Sequence, residues 1–120
     1  MRIFHIVDPE EWTKAVAHGA YVPAAFAADG FVHFSFADQV VRVANALYRD
    51  ASDLVVVEID PDGLDLVIED CYEAGEEFPH VYQPVPTGAA VAVHPLTRGS
   101  DGAWHFAVID DEGGPASRGR

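Results

Sequence analysis

Helix-type periodicity in this sequence is confined to its first 49 residues, and the rest is patterned like β-strand. Asp8, followed by Pro9 and Glu11, predicts a helix with an N-cap, a proline in its first turn and a capping-box acid, and Gly19 predicts its end. Residues 38–49 carry apolar side chains at helical spacing and predict a second helix. Two early helices followed by strands predict an α+β fold with a small mixed or antiparallel split sheet.

Several segments are predicted as strands because they are rich in β-branched and aromatic residues and are bounded by turn residues. These segments are residues 2–7, 31–36, 53–60, 65–71, 89–96 and 103–109. The nearly continuous apolar segment 53–60 is expected to be a central strand, and the turn after it is expected to form a hairpin with residues 65–71. Residues 73–88, with three prolines, are predicted as a loop.

The composition is that of one ordinary globular domain, with 49% hydrophobic and 22% charged residues in a chain of 120. We expect a single domain over residues 1–109 and a disordered polar tail over residues 110–120. No apolar run approaches the roughly 20 residues that span a bilayer, and the N-terminus does not resemble a signal peptide. The single cysteine, Cys71, cannot form an internal disulfide. A cytoplasmic location is therefore expected.

The charge is strongly negative, with 20 acidic residues against seven Lys and Arg and a net charge of −13. Nucleic acids and anionic membranes are bound by clustered cations, so neither is an expected partner. Between residues 50 and 97 there are eleven Asp or Glu and no Lys or Arg. A solubilising, solvated face is the simplest interpretation of that run. We expect a small-molecule ligand, and the sequence gives no oligomeric state.

Two histidines on the first two predicted strands are the main candidates for chemistry. Because side chains alternate along a strand, His5 shares a face with Ile3 and Val7, and His33 shares a face with Ser35. If these two faces meet, two imidazoles and a hydroxyl converge in one pocket. The alternative is that both histidines are hydrogen-bonded core residues.

Other polar groups could join such a pocket. Glu58 lies within an apolar strand, where it must reach a partner, a pocket or an exposed strand end. Residues 75–84 combine Glu77, His80 and Tyr82 with proline and phenylalanine, which resembles a pocket wall. In an extended segment His80 and Tyr82 point the same way and could bind a ligand together.

Known sequence signatures narrow the chemistry further. Zinc sites usually contain a local pair such as H-x-x-x-H or C-x-x-C, and the sequence has none, so no metal is expected. The Rossmann, P-loop and G-x-S-x-G signatures are also missing from the sequence.

Taken together, six short motifs resemble the bacterial family known as domain of unknown function 952. In chain order they are IFHIV at residues 3–7, G-x-Y at 19–21, GFVHFS at 30–35, VAN at 43–45, LVVVEID at 54–60 and GEEFPHVYQP at 75–84. The resemblance extends from residue 2 to about residue 95. One departure is Gln83, where the family pattern usually has glycine after the tyrosine.

The resemblance implies an ADP-ribosyltransferase-like fold, in which a split sheet surrounds an NAD-binding cleft. By that analogy His5 would contact the ribose of NAD, and His33 and Ser35 would line the nicotinamide side. An acid, Glu58 or alternatively Glu69 or Glu77, would stabilise the oxocarbenium charge. The motif residues that would bind substrate are His80, Tyr82, Glu77, Tyr21 and Asn45.

Two functions from different classes therefore follow from the sequence. The first is glycosyl-bond or ADP-ribosyl-transfer chemistry on NAD or a related small molecule, with NAD as substrate. The second is a binding or regulatory module that uses the same cleft without catalysis.

Overall fold

The structure is a computed structural model that describes residues 1–70, 73 and 75–106. It is a mixed α+β fold with few helices, and its strand pairs are antiparallel. The helices are α1 (Pro9–His18), α2 (Phe26–Asp29) and α3 (Val40–Leu47). The strands are β1 (Ile3–Val7), β2 (Ala20–Tyr21), β3 (Val32–His33), β4 (Val55–Ile59), β5 (Leu66–Glu69), β6 (Phe78–Val81), β7 (Val85–Pro86), β8 (Ala90–Pro95), β9 (Thr97–Arg98) and β10 (Trp104–His105).

Two three-stranded sheets, in the orders β1-β4-β8 and β3-β6-β5, form the body of the fold. Two-stranded pairs β2-β7 and β9-β10 flank them. The backbones of the two larger sheets meet at an isolated bridge, where Phe4 and Ser35 exchange hydrogen bonds of 2.8 and 2.7 Å. Two residues earlier in the chain, His33 pairs with β6 instead. The segment that contains β3 therefore passes from one sheet to the other.

The first helix forms for the local reasons that its sequence indicates. The Asp8 side chain accepts hydrogen bonds from the backbone N–H groups of Glu10 and Glu11, at 2.8 and 3.3 Å. The helix ends at Gly19, whose φ of 85° is the left-handed conformation that favours glycine. Its apolar face, with Trp12 buried, packs on the β1-β4-β8 sheet.

Strands β1 and β4 of the β1-β4-β8 sheet are covered on both faces. Ile3, Val7, Val57 and Ile59 face the core that contains α1. The alternate residues, among them Phe4, Ile6 and Val56, face a second core that contains α3 and Trp104. The central position predicted for residues 53–60 is confirmed, because β4 pairs with β1 on one side and β8 on the other.

Two predictions about the second half of the fold are wrong. Residues 73–88 are not only loop, because β6 lies within them, fully buried and paired with both β3 and β5. Pro79 lacks a donor, but its carbonyl accepts from Phe34 N–H at 2.9 Å, so the strand tolerates it. The expected hairpin of residues 53–60 with 65–71 does not form either, since β5 pairs with β6 in the other sheet.

The remaining elements are shorter than predicted. The helix predicted at residues 38–49 is α3, and it is preceded by a 3₁₀ turn at Ala37–Gln39. Within the strand predicted at residues 31–36, β3 is followed by an isolated bridge at Ser35. The predicted tail at 110–120, the end of the strand predicted at 103–109, and Cys71 lie outside the described residues. None of the helices in the described part of the chain combines the length and apolar character needed to cross a membrane.

Candidate functional site

His5, at the centre of β1, is held by two hydrogen bonds that fix its tautomer. Its Nδ1 lies 2.7 Å from the backbone carbonyl oxygen of His33, and its Nε2 lies 2.8 Å from the Tyr21 hydroxyl. A carbonyl oxygen only accepts, so Nδ1 carries the proton and Nε2 accepts from the Tyr21 O–H. His5 therefore connects β1 to β3 and also orients Tyr21.

His33 belongs to a second series of polar contacts, which crosses the β3-β6-β5 sheet. Its Nδ1 lies 3.3 Å from His80 Nε2, and His80 Nδ1 lies 2.9 Å from Glu69 Oε2. The Tyr82 hydroxyl donates to the same carboxylate oxygen. The strand register explains why these side chains converge. His33 pairs with His80, and Glu69 pairs with Phe78. Phe78 and His80 are two residues apart in β6, so the side chains of His33, His80 and Glu69 lie on the same face of the sheet.

Burial sets the protonation of these groups. It lowers the pKa of His5 from 6.5 to about 4, against a smaller opposing effect of the hydrogen bond to His33. Burial also lowers the pKa of His33 to about 4, with further lowering from the nearby His80 and His5. For Tyr21 burial raises the pKa, so its hydroxyl keeps its proton. Both imidazoles are therefore neutral near pH 7.

The Glu69 carboxylate stays ionised. Its hydrogen bonds from Tyr82 and then His80 lower its pKa. His80 is completely buried beneath it, and the Phe31 ring stacks on the imidazole with centroids 4.1 Å apart. Glu69, the negatively charged member of this series of contacts, is therefore held in place by packed side chains.

A cleft of about 460 Å³ opens where β1 and β3 part beyond the Phe4 and Ser35 bridge. We refer to this cavity as the cleft. It is enclosed by the C-terminal end of β1, the first turn of α1, the loop before β4 and the segment around α2. Its lining residues are His5, Ile6, Val7, Asp8, Glu11, Tyr21, Pro23, Ala25, Asp29, Phe31, His33, Tyr48, Ala51, Ser52, Asp53 and Leu54.

The cleft is lined by carboxylates that sequence reasoning did not assign to a site. Asp8, Glu11, Asp29 and Asp53 all contribute to its wall, and among the described residues no Lys or Arg does. The sequence predicts Asp8 and Glu11 only as helix-capping residues. Asp29 ends the short helix α2 and Asp53 lies in the connection before β4, and at neither position does a local signal distinguish a cleft residue from a solvated one. Among the described residues no group of three or more His, Cys, Asp or Glu side chains is placed to hold a metal ion.

Comparison with known proteins gives the family of this chain. Residues 6–93 match the family described as "Protein of unknown function (DUF952)". The chain belongs to this family. The motifs that suggested it are distributed over most of the matched range, so that resemblance is confirmed.

Solved structures of another protein have the same fold as this family member. The crystal structure of protein CC0527 from Caulobacter crescentus is 30% identical, with a TM-score of 0.78, and the match covers 88% of this chain and 94% of that one. Its solution NMR structure is 31% identical, with a TM-score of 0.74 and coverage of 85% and 90%. No curated protein matches the sequence at a significant level.

The family member brings some predicted site residues together. His5, His33 and Tyr21 line the cleft. His80 and Tyr82 point the same way, as expected for i and i+2 in an extended segment, and both contact Glu69. His80 contacts His33, and the rings of His80 and Tyr82 lie against Phe31, so they support the cleft wall from behind.

Other predicted residues lie elsewhere. Ser35 is 1% exposed and its backbone joins the two sheets at Phe4. Asn45 binds the backbone of Trp104, accepting from its N–H at 2.8 Å and donating to its carbonyl at 3.2 Å. Glu77 is exposed, and its carbonyl oxygen accepts from the Gln39 side chain at 2.9 Å.

Glu58 is on the opposite face of the sheet from His5. The register places His5 opposite Val57, so the neighbouring Glu58 points towards the α3 side. There its carboxylate contacts Arg2 at 3.0 Å and His94 Nε2 at 2.7 Å. The structure therefore does not bring Glu58 together with the histidines of the cleft.

Proposed function

We propose that this protein binds a small polar molecule in the cleft and recognises it through Tyr21 and His33. The observation that carries the proposal is a cavity of about 460 Å³ with His5, His33 and Tyr21 in its wall. A concave site with an apolar wall and a few convergent polar groups is typical of small-molecule binding. An apolar core gains nothing from collecting such groups at one opening, since each must be desolvated.

Hydrogen bonds within the wall support recognition. Tyr21 is held by His5, and His33 is held by His80, so neither side chain has to be ordered when a ligand arrives. Preorganised groups lose less conformational entropy on binding. This is the arrangement expected of a selective binding site.

Glycosyl-bond chemistry on NAD or a related compound, in an ADP-ribosyltransferase-like fold, is the second candidate. It is favoured by carboxylates in the cleft wall, such as Glu11 and Asp29, which would stabilise positive charge on a ribosyl carbon. The pyrophosphate of NAD counts against it, because the part of the lining that the structure describes has no Lys or Arg to receive phosphate. A related riboside without phosphate would fit these charges better than NAD itself.

Amide-resolved NMR of ¹⁵N-labelled protein tests both candidates. We expect members of a fragment library to shift the amide signals of residues that line the cleft, and Tyr21→Phe to weaken binding about fivefold through loss of one hydrogen bond. The matched control is His105→Gln, an exposed residue outside the cleft wall. A library in which no compound shifts cleft signals would overturn the proposal.

NAD, ADP-ribose and nicotinamide are titrated in the same experiment. Release of nicotinamide from NAD, abolished by His33→Gln, would support the glycosyl-transfer candidate. Saturable binding without release over hours would leave the protein as a binding module. If fragments bind in the cleft but none of these three compounds does, NAD chemistry is eliminated and the binding function stands.

A further inference from the structure

One wall of the cleft is formed by the connection between α3 and β4. Residues 48–53, which we call the wall segment, have no regular secondary structure. They contribute Tyr48, Ala51, Ser52 and Asp53 to the cleft lining. Because no helix or sheet of its own holds the wall segment, its order depends on its contacts with the rest of the fold.

The wall segment is bound by the β9-β10 hairpin through its backbone carbonyl groups. The Arg98 guanidinium donates to the carbonyl oxygens of Arg49 and Ala51, at 2.5 and 2.7 Å. The Trp104 Nε1–H donates to the carbonyl oxygen of Tyr48 at 2.9 Å. None of the described hairpin residues, 97–105, lines the cleft, so the hairpin supports this wall from outside.

Arg98 is itself fixed within the hairpin. Its guanidinium carbon lies 4.0 Å from the centre of the Trp104 ring, and its Nη1 donates to the carbonyl oxygen of Gly102 at 2.5 Å. Trp104 is only 2% exposed, so the guanidinium stacks on a rigid surface. A planar guanidinium can stack and still donate several hydrogen bonds in its own plane. The position of the hairpin is therefore passed on to the wall segment.

The partners of Arg98 are unusual for a cation in so acidic a protein. The chain has 20 acidic residues and only seven Lys and Arg. Among the described residues, Arg98 nevertheless contacts three backbone carbonyl groups and a ring, and no carboxylate. Hydrogen bonds from a charged donor are stronger than those between neutral groups.

We propose that Arg98 is a positioning residue of the cleft, which holds the wall segment where a bound molecule contacts it. This inference rests on the proposed binding function and identifies a determinant of affinity that lies outside the cleft. Without Arg98, two carbonyl groups lose their charged donor and the wall segment becomes mobile. The segment would then have to be ordered when a molecule binds, which weakens binding.

The order of the wall segment is tested first, with no ligand present. Arg98→Met removes the donors and keeps a side chain that can lie on Trp104. In ¹⁵N relaxation of the full chain, we expect the amide order parameters of residues 49–53 to fall from about 0.85 to below about 0.6. The matched control is Arg42→Met, which removes the same charge from an exposed arginine bound to Glu76 and should leave these order parameters unchanged.

The effect on binding is tested with the fragment library. Fragments that shift cleft signals of the natural protein should bind Arg98→Met about tenfold more weakly and Arg42→Met equally well. Arg98→Lys keeps the charge without the planar group, so its affinities should lie between those of Arg98→Met and the natural protein. A role in overall stability alone would lower the free energy of unfolding and leave the affinity of the folded protein unchanged.

Several results would overturn the inference. These are unchanged order parameters in Arg98→Met, unchanged fragment affinities in that variant, and an equal loss of affinity in Arg42→Met, which would assign the effect to charge alone. If no fragment binds the natural protein, the proposed function fails, and the order parameters alone decide whether Arg98 positions the wall segment.

Discussion

Acidification should destabilise this protein through His5 and His33, in a pH range set by their burial. Their pKa values fall from 6.5 to about 4 on folding, so between these values the unfolded chain binds more protons than the folded one. The two histidines therefore contribute their full share to the free energy of unfolding above pH 6.5, and that contribution is lost as the pH falls towards 4. Each histidine accounts for about 3 kcal/mol over the whole range, or about 1.4 kcal/mol per pH unit within it.

Two other effects act on the same curve. The net charge of −13 becomes smaller in acid, which relieves repulsion and stabilises the fold. Carboxylates with a lowered pKa, such as Glu69 and Glu76, lose their contribution only at lower pH; for Glu76 the hydrogen bonds from Arg42 hold the pKa at about 2. The range from pH 6.5 to 5 therefore isolates the histidines best, and a variant separates them from the general charge effect.

The variant is His5→Gln, whose amide can still donate to the His33 carbonyl and accept from Tyr21. Urea unfolding, followed by the fluorescence of the buried Trp12 and Trp104, gives the free energy of unfolding at each pH. We expect its slope against pH to be smaller than that of the natural protein by about 1.4 kcal/mol per pH unit. The control His18→Gln, exposed at the end of α1, should keep the original slope. Identical slopes for His5→Gln and the natural protein would refute the burial argument.

Two further substitutions test residues that the structure places away from the cleft. Asn45→Ala removes both hydrogen bonds to the Trp104 backbone and should lower the free energy of unfolding by about 1 to 3 kcal/mol while cleft binding measured by NMR is unchanged. Unchanged stability with lost binding would instead support a ligand contact. Glu58→Gln weakens the contacts to Arg2 and His94 and should cost about 2 kcal/mol in urea unfolding. A fall in cleft affinity at unchanged stability would contradict this structural role.

Local signals in the sequence predicted the start of the fold well. The N-cap at Asp8, the first-turn Pro9 and the left-handed Gly19 each act on their immediate neighbours, so α1 follows from them directly. The apolar run at 53–60 also predicted the central strand β4. These features depend on chemistry within about one turn or one strand, which a single sequence displays.

The second half depends on pairings between distant residues. A proline within a segment argues against a central strand, but Pro79 sits in β6 where its carbonyl is used and its missing N–H is tolerated. The hairpin expected after β4 failed because a turn residue shows where a chain reverses and not which strand it joins. The contacts of His80 with His33 and Glu69 depend on this register, so no local pattern predicts them.

His33 and Ser35 have different roles because the segment that contains them passes from one sheet to the other. Ser35 pairs with β1 and is sealed in the junction, while His33, on the same side of the strand by alternation, pairs with β6 and faces the opening. Strands that continued in one ladder would place an interstrand hydrogen bond where His5 now reaches across to the His33 carbonyl. The gap that this side chain bridges is the inner end of the cleft, so the split in the sheet and the candidate site have one structural cause.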